Sequence, residues 1–162
     1  MKNLKMICFD MDGTIADLYG VENWLPMLRA FNPYPYAVAK PMWDMRKLSE
    51  LLYALRRQGV EINIITWLSK ESTKEYDRAV RTVKKNWLYN HDFPFDHFYG
   101  VQYGATKADS IRNRLGENET AILFDDNAKV RQGWHMGKAY DPATCDLILM
   151  LKGLLDGLEM GD

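Results

Sequence analysis

The sequence predicts an α/β protein with three layers, a parallel sheet covered by helices on both faces. Three observations carry this expectation. Short apolar and β-branched runs alternate with longer segments whose apolar residues recur at helical spacing. The strand-like runs end in polar residues, which suits a ligand crevice at the carboxyl ends of parallel strands. The 162 residues are enough for one domain with a full core.

The first strand is expected over 5–10, where Met6-Ile7-Cys8-Phe9 runs into Asp10. Residues 21–31 read as a short helix, interrupted by Pro26. The stretch Asn32-Pro33-Tyr34-Pro35-Tyr36 is expected to be extended or turning. Leu48, Leu51, Leu52 and Leu55 place a helix over 43–58, and Gly59 stops it. Residues 61–66 are β-branched and strand-like. Tyr76, Val80, Val83 and Trp87 mark a helix over 71–89 on a charged background. A strand at 95–101, a helix at 107–115 and a strand at 120–124 follow. A helix at 127–135 and a brief strand near 138–140 come next. Leu147, Leu151, Leu154 and Leu158 share one face of a last helix over 144–158, whose far end Gly153 and Gly157 weaken. With no internal repeat and no low-complexity tract, residues 1–162 read as a single domain.

Composition narrows the function. The formal net charge of -1 supplies no field that would draw the whole molecule to nucleic acid or an anionic membrane. Cys8 lies in an apolar strand pattern and Cys145 is the only other cysteine, so no disulfide scaffold is expected. The apolar run near the start is too short and too charged for a signal peptide. No segment approaches the ~20 apolar residues that span a bilayer. A soluble cytoplasmic protein with no membrane partner is the expectation; the oligomeric state is not readable.

The chemistry sits at the strand ends. In Asp10-Met11-Asp12-Gly13-Thr14 two carboxylates at alternate positions of an extended chain point the same way. Held that close they repel, and a metal ion offsets the cost. Oxygen donors of this kind suit a hard cation such as Mg²⁺. Thr66 ends the second strand, Asp125 and Asp126 end the strand at 120–124, and Lys107 opens the helix before it. By the carboxyl-end rule, all of these would face one crevice.

Plainer roles are open to the same residues. Asp-x-Asp-Gly also occurs in turns and Ca²⁺ loops, although an EF-hand loop places its glycine after a third acidic position. Asp125-Asp126-Asn127 also suits a helix cap. Thr66 alone reads as a strand end and Lys107 alone as a solvated helix charge, with Lys70 a rival lysine. His91, His97 and His135 have no metal-ligand spacing. Arg78, Arg81, Lys84 and Lys85 read as the wet face of an amphipathic helix.

Taken together and in order, Asp10-x-Asp12-Gly13-Thr14, Thr66, Lys107 and Asp125-Asp126 resemble the four motifs of the haloacid dehalogenase (HAD) superfamily. The resemblance implies a Rossmann-like sheet and a phosphatase working through an aspartyl-phosphate. Asp10 would be the nucleophile and Asp12 the acid and base. Thr66, the backbone N–H of Trp67 and Lys107 would hold phosphate. Mg²⁺ would be held by Asp10, the backbone carbonyl of Asp12, Asp125 and Asp126. The acid at Asp12 favours a phosphatase over a dehalogenase. Trp67 departs from the small residue the family often has there.

The spans between motifs leave no room for a large cap, so residues 15–42 are expected to form at most a small lid. That segment is rich in aromatics, Tyr19, Trp24, Phe31, Tyr34 and Tyr36, placed to pack on the core or to stack on a base or sugar. Its layout resembles the 5'(3')-deoxyribonucleotidase branch. The expected substrate is a small phosphorylated molecule such as a nucleotide; a nucleic-acid end is admissible but not favoured. Two other classes stand beside this one. A receiver-like domain would need its phospho-acceptor acid at the end of the third strand, where Tyr99-Gly100-Val101 offers none. A non-catalytic HAD-fold binding or regulatory protein would keep the fold without the chemistry.

Overall fold

The computed structural model describes residues 2–161. Its centre is a five-stranded parallel sheet. In chain order the strands are β1 (Asn3–Phe9), β4 (Glu61–Trp67), β5 (His97–Val101), β6 (Glu119–Phe124) and β7 (Ala139–Tyr140), and in space they run β5-β4-β1-β6-β7. β1 is therefore central, with β4 and β6 on either side. Strands buried on both faces are continuously apolar, which is why Met6-Ile7-Cys8-Phe9 and Ile62 to Ile65 show no polar alternation except Asn63. The expected α/β fold is the observed one.

Alternation of side chains across the sheet divides the core in two. Ile7, Phe9, Ile62, Ile64 and Phe124 face α3 (Met45–Arg57), α4 (Lys74–Asn90) and α6 (Leu147–Met160) through Leu48, Leu52, Trp87, Leu88, Leu147 and Leu151. Met6, Cys8, Ile65 and Leu123 face the other layer through Ala108, Ile111 and Trp134. Helix starts follow their caps: Asp44, Thr73 and Asp146 each accept a backbone N–H three residues on. Gly59, at φ 89°, turns the chain out of α3 into β4.

Between β1 and α3 a second, two-stranded antiparallel sheet pairs β2 (Ala16–Asp17) with β3 (Lys40–Pro41). It brackets two short helices, α1 (Trp24–Arg29) and α2 (Tyr34–Val38). Leu18 and Tyr36 from this insert pack on Leu68, Tyr76 and Val80, tying it to α4.

Three elements differ from expectation. Residues 34–38 are helical rather than extended, because Pro35 sits in the first turn, where its missing N–H costs nothing. The helix expected over 21–31 contracts to α1, bracketed by Asn23 and Phe31 at positive φ. Residues 107–115 form two 3₁₀ turns, Lys107–Ser110 and Arg112–Arg114. The buried pair Ala108 and Ile111 is three apart, the spacing that aligns in a 3₁₀ helix. Gly153 and Gly157 do not stop α6. Among the described residues no helix is long and apolar enough to cross a membrane.

Candidate active site

β1, β4 and β6 deliver their last residues to one end of the sheet. Asp10 follows β1 and Asp125 follows β6, and the ladder continues one step beyond the strands: the Asp10 N–H donates to the Phe124 carbonyl at 2.9 Å. Gly13 then turns the chain at φ 79°. A Cβ at Gly13 would collide with the Asp126 carboxylate. Gly13→Ala is thus expected to cost about 1–2 kcal/mol from the left-handed backbone alone. It should also displace Asp126; thermal melts with and without Mg²⁺ should show lower stability and a weaker response to the ion.

Asp10, Asp125 and Asp126 bring one oxygen each within 4.8 Å of one another. Asp10 and Asp125 are buried, and Asp126 is the least covered of the three. Lys107 is the lysine among them. Its Nζ donates to Asp10 Oδ1 at 2.9 Å and to Asp125 Oδ2 at 2.7 Å, and its side chain is 2 % exposed. The Thr14 hydroxyl donates to the other Asp10 oxygen at 3.1 Å, and the Asn127 N–H donates to Asp125 Oδ1 at 2.9 Å. Lys70, the rival lysine, lies at the cavity wall with its ammonium 6.0 Å from the Tyr103 ring centre. Asn127 also caps α5 (Ala128–Gln132), so capping and site geometry coexist there.

Asp12 points elsewhere. Its carboxylate is not one of the three clustered oxygens, and its Oδ2 accepts from Lys84 Nζ at 2.9 Å. The same ammonium donates to Thr66 Oγ1 at 2.7 Å and to the Trp67 carbonyl at 3.0 Å. The reading of Lys84 as part of a wet helix face is therefore corrected: its side chain is 1 % exposed. Arg78 is exposed, whereas Arg81 and Lys85 lie half-buried against β5, Arg81 on the Gly100 carbonyl and Lys85 over Phe98. The periodicity contained the signal. Lys84 is four residues after Val80 and three before Trp87, on the apolar stripe itself.

Trp67 fills the space a small residue would leave open. Its indole N–H donates to the Ala105 carbonyl at 2.9 Å, its ring lies 5.3 Å from the Lys107 ammonium, and Tyr103 packs beside it at 5.0 Å. Thr66 is buried just behind. The acids open into a cavity of about 530 Å³, lined by Tyr19, Trp24 and Leu25 from the insert and by Trp67 and Tyr103 from the chain at and beyond the ends of β4 and β5. Of the aromatics in the 15–42 segment, Tyr19, Trp24 and Tyr36 line this cavity, while Phe31 packs on Tyr76 and Tyr34 is exposed. Tyr103, from the loop after β5, had no motif to mark it.

Charge at the cavity floor is out of balance. Burial and the neighbouring Asp10 charge push Asp125 up to about 6 and Asp126 up to about 8. Burial and Asp10 also raise Asp12, with Lys84 opposing. One lysine cannot neutralise three carboxylates, and an all-oxygen donor set suits a hard divalent cation. The residues present fit such an ion. Without it, the folded protein holds protons that the unfolded chain releases near pH 4, so stability falls as pH rises from 5 to 8. His91, held below its ordinary value by burial, works weakly the other way. Melting of the metal-free protein is expected to drop across that range, and added Mg²⁺ should stabilise more at pH 8 than at pH 5. A flat profile with no Mg²⁺ effect would contradict this account.

No family model and no curated protein sequence matches this chain. Among solved structures, the fold is similar to that of D,D-heptose 1,7-bisphosphate phosphatase from Burkholderia thailandensis. The TM-score is 0.54 over 93 % of this chain and 98 % of that one, at 13 % sequence identity. At that identity the likeness is one of fold.

Proposed function

We propose that this chain is a HAD-type phosphomonoester hydrolase that depends on Mg²⁺ and works through an aspartyl-phosphate on Asp10. The observation that carries the reading is the join of Asp10, Lys107 and Asp125 on the cavity floor, with Asp126 beside them and Asp12 one step away. A phosphate monoester resists hydrolysis because its negative charge repels an anionic nucleophile. Asp10, the Asp12 backbone carbonyl, Asp125 and Asp126 would hold the ion, which would supply positive charge to offset that repulsion.

The side chains do the rest. Lys107 and Thr14 hold the Asp10 carboxylate in a fixed orientation, so one of its oxygens is aimed at phosphorus. Lys107 neutralises charge on the phosphoryl group together with the Thr66 hydroxyl and the Trp67 N–H. Asp12, at the cavity edge, donates a proton to the leaving oxygen and in the second step takes one from water. The insert at 15–42 acts as a small lid through Tyr19, Trp24 and Leu25. The cavity suits a small ligand rather than a polymer, and the aromatic residues in its lining favour a nucleotide or similar phosphorylated metabolite.

The test is an assay of purified protein with an aryl phosphate. Turnover with Mg²⁺ that stops on chelation supports the reading. Absence of turnover on aryl phosphate and on a panel of phosphorylated metabolites and nucleotides would overturn it.

A further inference from the structure

We propose that Lys84 is a positioning residue, which holds the Asp12 carboxylate and the Thr66 hydroxyl as one unit and keeps Asp12 out of the acid cluster. The proposal rests on the hydrolase reading above. A lysine ammonium has three N–H groups, and at Lys84 each has an acceptor: Asp12 Oδ2, Thr66 Oγ1 and the Trp67 carbonyl. The face of Tyr36 covers it, with the ring centre at 4.7 Å. These contacts join three distant pieces of chain, the turn after β1, the end of β4 and the middle of α4.

Such a residue is not explained by packing. It occupies the apolar stripe of α4, where replacing a buried ion pair by apolar groups is often neutral or stabilising. Its partners supply the explanation. Asp10 and Asp12 follow the same strand end two residues apart and both border the cavity, chemically alike, and the reaction needs them to act differently. Two lysines separate them. Lys107 binds Asp10 together with Asp125, inside the acid cluster. Lys84 binds Asp12, a residue of the cavity lining, through Oδ2, which leaves Oδ1 free of that contact to carry the proton. By filling one acceptor position on Thr66 Oγ1, Lys84 also restricts where that hydroxyl can aim its own hydrogen.

In the first step an Asp10 oxygen bonds to phosphorus, the bond from phosphorus to the leaving oxygen breaks, and the Asp12 proton goes to that oxygen. In the second, water oxygen bonds to phosphorus, its proton returns to Asp12, and the Asp10–phosphorus bond breaks. Lys84 neither gains nor loses a proton. It acts only through the placement of Asp12 and Thr66.

The leaving group reports that placement. An aryl oxide departs without protonation, whereas an alkoxide needs the acid. Lys84→Met is expected to lower kcat/KM about 10²-fold or more on a simple alkyl phosphate but less than ~10-fold on p-nitrophenyl phosphate. Asp12→Asn should show the same contrast. Adding K84M to D12N should lower both esters by the same small factor, that of the released Thr66 hydroxyl, because the contrast between the esters rests on Asp12 alone. If K84M alone leaves the Asp12 charge too exposed to its like-charged neighbours to fold, the double variant removes both charges, and its comparison with D12N decides. Equal losses on the two esters in K84M, or a further widening of the contrast between them in the double variant, overturns the role of Lys84 while leaving the hydrolase reading intact. A wild-type protein that turns over neither ester sinks both.

Discussion

On the proposed mechanism, Asp10→Asn is expected to reduce phosphomonoesterase turnover by at least ~10⁴-fold, since deleting a covalent nucleophile costs about that or more in enzymes where it has been separated from binding. The amide has the shape of the carboxylate but lacks the anionic oxygen that must bond to phosphorus. It also removes one of the three clustered acids, so Mg²⁺ affinity should weaken in the same variant. The fold should survive, because the substitution lowers repulsion at a buried site where Asp125 and Asp126 already hold their protons above the usual range. Initial rates with an aryl phosphate, read beside a melting curve, make the check. Activity above about 1 % of wild type in a folded protein would remove Asp10 from the role.

The second large effect is on stability. Lys107→Met strips the cation from between Asp10 and Asp125, two carboxylates with almost no access to water. Breaking a buried pair from one side costs about 3–5 kcal/mol, since the remaining charge is left uncompensated. For a chain of this size that is a fall of roughly 6–20 °C in Tm. The loss should be greatest at high pH, where the acids are driven to ionise, and excess Mg²⁺ should recover part of it by binding to the same oxygens. On the proposed mechanism catalysis should not return with stability, because the phosphoryl group would still lack the Lys107 ammonium. An unchanged melting temperature in metal-free K107M would show that the buried ion pairs contribute nothing.

Much of this was legible in the chain because parallel strands and their ends are local features. Met6 to Phe9 and Ile62 to Ile65 announce buried strands by composition alone, and strand-terminal acids are visible the moment the strand is. The misread elements are those where context overrode local preference. Tyr34-Pro-Tyr reads as extended until a first helical turn uses the proline. Residues 107–114 tighten into 3₁₀ turns because Ala108 and Ile111 must meet the sheet together. Lys84 reads as solvated because lysine is almost never buried unpaired, and its partners lie 18 and 72 residues away.

By itself the chain determined the α/β class, the strand ends at which the acids and the threonine stand, and the order in which these and Lys107 occur. Periodicity and strand composition act over a few residues, so one sequence suffices to show them. The three-dimensional fold decided which lysine serves which acid, that the Asp12 carboxylate stands apart from Asp10, Asp125 and Asp126, and that Trp67 and Tyr103 wall the cavity. Those facts depend on distances between residues far apart in the chain, and a distance exists only once the sheet order has brought β1, β4 and β6 side by side.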